Sequence, residues 1–511
     1  MTAEPSPSPL LGLRLPAASR LPFHALSAGN ATLRAGDPAR AIALYAQGLA
    51  KFPGLAKFLA SNLVRARNEY LAQQNPTAPL RVAVCSWNLT QNCVGRAYVL
   101  AQLYNRFAQA ELIGPVFAPD GHEIWQPIRD SPLTKHPLVV GSIAQFLDKA
   151  IEFVGAHPYT FVHLSKPRGP NLLLGILYKL IWGATVWMDV DDEELAFVGG
   201  SLGPPPGTIP PQALPIPALG ELNKLRWTQI AVNLATAFDG VTVANAALQA
   251  RYGGQIIAHA RDETVFNPTP ALCVQSRHKY GVPVHHKVVL FFGTPRAHKG
   301  LSAVAHAIAG LQDPTVCFFI VGDFPDPALK SELLAIPGVQ YRFLSAQAFD
   351  EIPQIVAMAD LCVLPQSESS LAAQFQTPAK LVDACAMGVP VIITATSALA
   401  PVLAAGAAIT AEPRGFTQQL RLWLAQPEER ARQGLAGRAY FEEEWSVSIN
   451  QHRLRLAVSK KEAASDAISQ STGGLKFLSG RLGALISSWG EARIGEIYAS
   501  SKGSFAGKAS V

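Results

Sequence analysis

The sequence predicts an α/β protein with two parallel sheets in series, preceded by a small all-helical module. Short apolar segments alternate with stretches of helical periodicity from residue 80 onward, and the same alternation starts again at residue 287. This alternation is typical of doubly wound parallel sheets that carry helices on both faces. A chain of 511 residues is long enough for two or three domains. We therefore expect two Rossmann-like domains that face each other across a cleft.

Composition excludes several classes of protein. Hydrophobic residues make up 49% of the chain and charged residues 16%, which excludes a disordered chain. The net charge is +6 and the lysines and arginines are scattered, so we expect no nucleic-acid partner. The six cysteines form no C-x-x-C pair, which argues against a disulfide framework or a zinc site. The first thirty residues show no secretory signal pattern, and together these features predict a cytoplasmic protein.

Residues 1–76 are predicted to form the helical module. Within residues 22–55, Gly29 and Tyr45 have the spacing of a small residue and a ring packed between paired helices, with Gly36-Asp37-Pro38 as the turn. The pattern resembles a tetratricopeptide repeat, although an ordinary helical hairpin would show it too. One such repeat cannot bury its own apolar face, so it must pack on the next domain or bind a protein partner.

Residues 77–284 are predicted to form the first sheet domain. Its strands are expected at about residues 81–85, 110–114, 161–164, 185–188 and 240–244. The apolar run 172–188 has the length of a marginal membrane span, but Lys179 and Gly183 interrupt it, so we expect a buried helix followed by a buried strand. Residues 199–219 are rich in glycine and proline and predict a surface loop.

Residues 285–430 are predicted to form the second sheet domain, after a linker at residues 268–284. Its strands are expected at about residues 287–293, 316–321, 340–343, 361–364 and 389–394. A crossover helix at 431–455 and a tail at 456–511 follow. In the tail, the residues from Leu475 to Trp489 predict an amphipathic helix, which would pack on the protein or make a peripheral contact with the inner face of a membrane.

The segment Phe292-Gly293-Thr294-Pro295-Arg296-Ala297-His298-Lys299-Gly300 carries the strongest chemical signal. A strand ends at Gly293, two cationic side chains follow in a turn, and a helix is expected to start near Gly300. Glycine allows a ligand close to the backbone, and Arg296 and Lys299 can form charge-assisted hydrogen bonds to phosphate. The helix N-terminus adds a favourable field for an anion. This turn therefore predicts a phosphate-binding site.

A second segment, residues 377–392, has its own pattern. Pro378 would start a helix that carries Lys380 and Asp383, and Gly388 would end it before the next strand. A carboxylate such as that of Asp383 can accept two hydrogen bonds from a ribose diol. Together, the two segments resemble the donor-binding half of the GT-B glycosyltransferases, in particular the retaining glycosyltransferase family four.

The resemblance covers about residues 80–445 and implies an activity. Members transfer a sugar from a nucleoside-diphosphate sugar to an acceptor hydroxyl with retention of configuration, and they generally need no metal ion or other cofactor. The donor-binding residues that the resemblance implies are Gly95, Gly293, Arg296, Lys299, Lys380 and Asp383. Among them, Arg296 and Lys299 would hold the pyrophosphate and Asp383 the ribose. The acceptor could be a glycan, a lipid-linked glycan or a protein, and polysaccharide synthesis is the role implied for the family.

The chain departs from the family pattern in its acidic residues. The family usually has two glutamates eight positions apart, where this chain has Phe375 and Asp383, so Glu368 or Gln376 could approach the donor sugar instead. After the strand at 185–188, many members have a histidine. This chain has Asp189-Val190-Asp191-Asp192-Glu193-Glu194 there. Asp189 or Asp191 could contact the donor sugar or the acceptor. We predict both as catalytic residues, together with Arg296 and Lys299.

The acidic run also allows other interpretations. Carboxylates at alternate positions can bind Mg²⁺ or Mn²⁺, and a solvated acidic loop would look the same. We expect no metal, because Arg296 and Lys299 already supply counter-charges for the phosphates.

Two other functions are compatible with the sequence. The altered glutamate and histidine positions would suit a catalytically weak GT-B scaffold that acts through its helical repeat. A GT-B nucleotide-sugar epimerase would act on the donor without an acceptor. Analysis of the products distinguishes transfer, no turnover and a changed sugar.

Overall fold

The computed structural model describes residues 22–52, 56–74, 80–121, 123–182, 184–210, 213, 217–366, 370–412 and 415–463. Helices α1 to α19 are, in chain order, Pro22–Arg34, Pro38–Lys51, Ala56–Gln74, Val94–Tyr104, Gln126–Arg129, Phe146–Ala156, Gly169–Trp182, Leu225–Leu234, Ala246–Tyr252, Pro270–Lys279, Leu301–Ala309, Pro327–Leu334, Ile352–Ala357, Leu371–Phe375, Ala379–Ala386, Ala400–Ala404, Phe416–Ala425, Pro427–Tyr440 and Val447–Ala463. Strands β1 to β13 are Arg81–Ser86, Gln109–Phe117, Lys135–Val140, Phe161–Ser165, Thr185–Val190, Gly240–Val243, Gln255–Ile256, Lys287–Phe292, Val316–Val321, Gln340–Leu344, Leu361–Leu364, Val391–Ile393 and Ile409–Thr410. The amphipathic helix predicted from Leu475 to Trp489 lies outside the described residues.

The two predicted sheets are confirmed. The first has seven parallel strands in the order β3-β2-β1-β4-β5-β6-β7, and the second has six in the order β10-β9-β8-β11-β12-β13. In each sheet the strand order reverses beside the first strand of the domain, between β1 and β4 and between β8 and β11. Ligands of doubly wound sheets bind at the carboxyl ends of the strands near this reversal. Three helices precede the first sheet, as expected.

Three strands were not predicted from the sequence. β7 and β13 contain two residues each, and β3 is an edge strand that starts with Lys135 and His136 and is partly exposed. Neither a two-residue strand nor a polar edge strand has the apolar run from which a buried strand is recognised.

The N-terminal helices pack on the first sheet domain. α1, α2 and α3 contact one another, and α1 and α3 contact α7. Leu26, Tyr45 and Leu59 belong to the same buried core as Leu173 and Leu177 of α7. The module therefore buries its apolar face against the next domain, one of the two outcomes that the sequence left open. Its kinship with tetratricopeptide repeats stays a prediction.

The apolar run at 172–188 forms a buried helix and a buried strand, as predicted. α7 is covered by the N-terminal helices and α6, and β5 lies inside the first sheet. In the part of the chain that the structure describes, no helix has the length and apolar character that crossing a membrane requires.

The C-terminal helix returns to the first domain. Trp445 is buried in the core of the second domain, whereas Leu454 and Val458 of α19 are buried with residues of the first domain. The Asn450 Oδ1 accepts a hydrogen bond from the backbone N–H of Ala258 at 2.8 Å. α19 ends at Ala463, beyond residue 456, where the sequence pattern placed the start of the tail. The helix therefore ties the two domains together on the side that carries β7.

We expect Gly29→Ala to destabilise the N-terminal module. A Cβ at this position would lie 2.3 Å from Cε1 of Tyr45, so the ring must move. Overpacking of this kind costs about 1–3 kcal/mol, which should outweigh the gain in helix propensity of about 1 kcal/mol. Thermal unfolding followed by circular dichroism measures the change. The control, Ser27→Ala at an exposed position of the same helix, should leave the midpoint unchanged. Equal midpoints for both variants would contradict the packing described above.

Candidate active site

The two domains meet at the carboxyl ends of their strands. Gln376 of the second domain donates from Nε2 to Oδ1 of Asp192 in the first, at 2.7 Å. Asn245 of the first domain donates to the carbonyl oxygen of Phe375 at 2.8 Å and to Oγ1 of Thr377 at 3.2 Å. The acidic run after β5 and the segment before α15, both selected from the sequence, are therefore neighbours across the cleft.

Asp189, at the end of β5, is held in a buried ion pair with Arg96 of α4. The Arg96 guanidinium donates from Nε to Oδ2 at 2.9 Å and from its terminal nitrogen to Oδ1 at 2.8 Å. Thr242 Oγ1 donates to Oδ1 at 2.6 Å. Burial favours the protonated carboxyl, but Arg96 outweighs it and holds the pKa of Asp189 below its ordinary value. Both oxygens of this predicted catalytic residue are thus engaged by the protein itself.

Asp191 belongs to a separate cluster around Lys166. The Nζ of Lys166 lies 2.7 Å from Oδ1 of Asp191, 2.8 Å from Oδ2 of Asp192 and 3.2 Å from Oε1 of Glu194. All four side chains are buried. Burial raises the pKa of Asp191 to about 7, with a further contribution from Asp192 and opposition from Lys166. Asp191 is therefore the carboxyl in this run that can exchange a proton near neutral pH.

The sequence analysis did not find Lys166, Arg168 and Arg96. Arg168 donates to Oε2 of Glu194 at 3.1 Å, and its guanidinium lies over the ring of Trp87. The sequence did contain a pattern that could have indicated Lys166 and Arg168, because these two basic residues follow β4 just as the acidic run follows β5. Parallel neighbours in a sheet bring such positions together, but the sequence did not show that β4 and β5 are neighbours.

The three carboxylates around Lys166 could otherwise hold a cation. The oxygens of Asp191, Asp192 and Glu194 lie within 4.8 Å of one another, and oxygen ligands suit Mg²⁺ and Mn²⁺. The Lys166 ammonium, however, already lies at contact distance from all three. As arranged here, the cluster does not fit a metal ion.

The predicted phosphate turn follows β8. Gly293 has a φ of +118°, which favours glycine. A Cβ at this position would come within 2.4 Å of Cε of Lys380, so the absence of a side chain leaves room for Lys380 to pass over the turn. Burial and the neighbouring ammonium of Lys380 lower the pKa of Lys299 to about 8. The Arg296 side chain is exposed, and α11 starts after Gly300. Three cationic side chains therefore converge on one turn beside a helix N-terminus.

Asp383 lies within α15 and forms a buried ion pair. Arg261, in the segment that joins the domains, donates from Nε to Oδ1 of Asp383 at 2.5 Å. The Arg261 guanidinium also lies 4.7 Å from the ring centre of Phe349. Burial raises the pKa of Asp383, although Arg261 opposes the shift. The residue that the resemblance assigns to the ribose is thus fixed by an arginine from the linker side of the cleft.

The donor-binding candidate Gly95 and two buried histidines of the first domain lie in different surroundings. Gly95 is in the first turn of α4, next to Arg96. His163 is buried between the hydroxyls of Tyr104 and Thr242, each at 3.0 Å, and burial lowers the pKa of this histidine to about 4. It therefore packs as a neutral ring. His259 is also buried, with Nε2 3.8 Å from Oδ2 of Asp191.

The positions that depart from the family pattern have structural roles here. Phe375, which stands where the first family glutamate would be, packs against the core of the first domain. Gln376 bonds Asp192, as described above. Glu368 lies outside the described residues. The ring of Phe375 and the amide of Gln376 therefore join the domains at the place where the family pattern has a glutamate.

We expect Arg96→Met to be strongly destabilising, because it leaves the Asp189 carboxylate buried without its cation. Removal of one partner of a buried pair costs about 3–5 kcal/mol. The double variant Arg96→Met, Asp189→Asn should recover part of this loss. Chemical denaturation measures both effects. The control is Arg106→Met, which breaks the exposed ion pair with Asp262 and should cost less than about 1 kcal/mol. Equal costs at Arg96 and Arg106 would contradict the structural role of the buried pair.

Comparisons with known proteins agree with this fold. Residues 286–426 match the family described as glycosyl transferases group 1. No curated protein matches the chain. The solved structure of HepE from Anabaena in complex with UDP and glucose is similar with a TM-score of 0.56 and 17% identity, over 74% of this chain and 99% of HepE.

Two further solved structures share the architecture. Sucrose-phosphate synthase from Thermosynechococcus elongatus has a TM-score of 0.54 and 14% identity, over 75% of this chain and 100% of its own. WaaG, a glycosyltransferase involved in lipopolysaccharide biosynthesis, has a TM-score of 0.51 and 15% identity, over 76% of this chain and 100% of its own. At these identities the likeness establishes the fold. The chain therefore has the GT-B fold, and residues 286–426 of its second sheet domain match the glycosyl transferases group 1 family.

Proposed function

We propose that the protein transfers a sugar from a nucleoside-diphosphate sugar to an acceptor hydroxyl with retention of configuration. The observation that carries this proposal is the convergence of Arg296, Lys299 and Lys380 on the glycine turn after β8, opposite the acidic run of the first domain. A diphosphate is the part of such a donor that needs several cations, and charge-assisted hydrogen bonds to phosphate are strong. HepE, which has this fold, was crystallised with UDP and glucose, so a uridine donor is the first to test.

The nucleoside end of the donor has a suitable cavity beside the turn. A cavity of about 380 Å³ is lined by Phe324, Lys330, Phe343 and their neighbours at the carboxyl ends of β9 and β10. It borders the phosphate turn, because a Cβ at Gly322 would come within 2.3 Å of the carbonyl oxygen of Gly293. Aromatic side chains bind flat heterocycles by stacking. We therefore place the base in this cavity and the ribose between it and Asp383.

The proposed chemistry is electrostatic. The bond between the anomeric carbon and the diphosphate oxygen breaks, which leaves negative charge on the diphosphate and positive charge on the sugar ring. Arg296, Lys299 and the N-terminus of α11 would stabilise the diphosphate. The acceptor oxygen bonds to the anomeric carbon on the face that the diphosphate leaves, and a departing phosphate oxygen takes the acceptor proton. Asp191 would orient the acceptor or the sugar, since both oxygens of Asp189 are engaged by Arg96 and Thr242.

The cellular role is proposed at the level of class. We infer a cytoplasmic enzyme of polysaccharide or glycan synthesis, with a glycan, lipid-linked glycan or protein as acceptor and a peripheral contact with the inner face of a membrane. The N-terminal helices leave Val64 and Tyr70 of α3 exposed, and a protein partner could bind there. No resident metal or cofactor is expected, because cationic side chains would neutralise the phosphates.

A panel of UDP-, GDP- and ADP-sugars, each tested without metal and then with Mn²⁺, examines this proposal. We expect one donor to bind selectively and to be hydrolysed slowly or transferred in the absence of metal. A change of sugar within the nucleotide pool would indicate an epimerase. A folded protein that binds no donor would favour a scaffold.

We expect the double variant Arg296→Ala, Lys299→Ala to lose most of its affinity for the donor. Two charge-assisted hydrogen bonds at about 1.5–3 kcal/mol each correspond to a loss of at least about 100-fold. Isothermal titration with UDP, or with the diphosphate that the panel selects, measures it. The matched control is Lys149→Ala, Arg432→Ala, which removes two exposed cations from α6 and α18. Unchanged affinity in the first variant would rule out the assigned site.

We expect nucleoside-diphosphate affinity to fall as the pH rises through about 8. Below that pH Lys299 is an ammonium ion, and above it the lowered pKa of about 8 leaves a neutral amine that attracts phosphate less. The fall between pH 7 and pH 9.5 should be about 10-fold, the value of one charge-assisted bond. The terminal phosphate, with a second pKa of about 6, stays ionised over this range. Lys299→Arg keeps its charge and should flatten the profile, so an equally steep profile in that variant would refute the assignment.

A further inference from the structure

Lys166 is a buried cation at the end of β4 that faces the cleft from within the first domain. Its side chain is 7% exposed, and its ammonium contacts Asp191, Asp192 and Glu194. The surrounding charges keep the pKa of Lys166 well above its ordinary value despite burial, so it stays protonated. Three carboxylates this close would repel one another strongly without a cation between them.

The backbone holds this lysine in an uncommon conformation. Lys166 has a φ of +78°, a region that residues with a Cβ rarely adopt. Its N–H donates to the carbonyl oxygen of Asp189 at 2.9 Å, and its carbonyl oxygen accepts from Asn171 Nδ2 at 3.0 Å. Such a conformation costs about 1–3 kcal/mol and persists only where the surroundings impose it. The surroundings therefore direct this ammonium into the acidic cluster.

The cluster is connected to the donor side of the cleft through Asp192. One oxygen of Asp192 contacts Lys166, and the other accepts the hydrogen bond from Gln376 of the second domain. The charge of Asp192 also acts on both lysines of the phosphate turn, Lys299 and Lys380, and favours their protonated forms. The net charge of the cluster therefore changes the electrostatic potential at the position where the donor phosphates would bind.

We propose that Lys166 is a positioning residue of the donor site. Its ammonium takes the place that a divalent cation would occupy among Asp191, Asp192 and Glu194, holds Asp192 for the bond to Gln376, and keeps the cluster from repelling the donor diphosphate. The inference rests on the proposed function. It extends that function by assigning to the first domain a lysine that acts as the cation of the acidic cluster. Lys166 neither touches the substrate nor belongs to the phosphate turn.

The test compares four forms of the full chain. They are the wild type, Lys166→Met, Lys166→Arg and the double variant Lys166→Met, Asp192→Asn. Lys166→Met removes the charge at similar length, Lys166→Arg keeps it, and the double variant removes one cation and one anion together. In the double variant the asparagine Oδ1 can still accept from Gln376. Nucleoside-diphosphate affinity is measured by titration calorimetry at two salt concentrations, and Mn²⁺ binding by electron paramagnetic resonance without nucleotide.

We expect Lys166→Met to bind the diphosphate at least 10-fold more weakly than the wild type, with a smaller loss at high salt. Lys166→Arg and the double variant should stay within about 5-fold of the wild type. Lys166→Met should also bind Mn²⁺ at least 10-fold more tightly than the wild type, because three carboxylates then surround a vacant position. If Lys166→Met does not fold, the double variant and Lys166→Arg carry the test.

Several results would overturn the proposal. Diphosphate affinity within twofold of the wild type in folded Lys166→Met would remove the positioning role. Equal losses in Lys166→Met, Lys166→Arg and the double variant would show that shape rather than charge matters at this position. A wild type that binds no nucleoside diphosphate would refute the proposed function and with it the donor-site role. The Mn²⁺ measurement would then still decide whether Lys166 stands in for a metal ion.

Discussion

The geometry of the cleft depends on the buried ion pair between Arg96 and Asp189. A carboxylate in a protein interior is costly unless a partner and further hydrogen bonds satisfy it. Arg96 meets this requirement from α4 and also donates to the carbonyl oxygens of Ile257 and Ala258, near the start of the segment that leads to the second domain. One guanidinium therefore joins α4, β5 and the chain after β7. This junction therefore sets the position of the acidic run that follows Asp189.

Among the described residues, polar contacts and the rings of Phe375 and Phe349 join the two domains, and Phe349 packs against Tyr98 of α4. Gln376 and Asn245 bond across the cleft, Phe375 packs into the first core, and Arg261 pairs with Asp383 behind the donor segment. None of these contacts is a large apolar interface of the kind that fixes domains rigidly. α19 further connects the domains through its packing on α4.

The N-terminal helices cover an apolar helix of the first domain. α7 is apolar on most of its surface, and β5 behind it is buried from Val186 onward, so one face of the helix needs a cover. α1 and α3 supply it. Between them a polar group of Tyr45, Asn30 and Asn62 is buried and internally hydrogen-bonded, with the Tyr45 hydroxyl 2.5 Å from Oδ1 of Asn30. A buried polar network of this kind specifies one alignment of the helices, since any shift leaves a donor unpaired.

Sequence patterns predicted the two parallel sheets and most of their strands, the glycine turn with Arg296 and Lys299, and the helix that carries Asp383. These features are local, because periodicity, glycine and proline signals and short motifs act over a few neighbouring residues. Which charges are paired depends on contacts between distant parts of the chain. Arg96 and Asp189 are 93 positions apart, and Arg261 and Asp383 are 122 apart. The burial that shifts the pKa values of Asp191, Lys299 and His163 likewise comes from several distant segments. Identical local patterns could have paired Asp189 with Lys166 and Asp191 with Arg96, and the difference lies in which side chains the fold brings within about 3 Å of each.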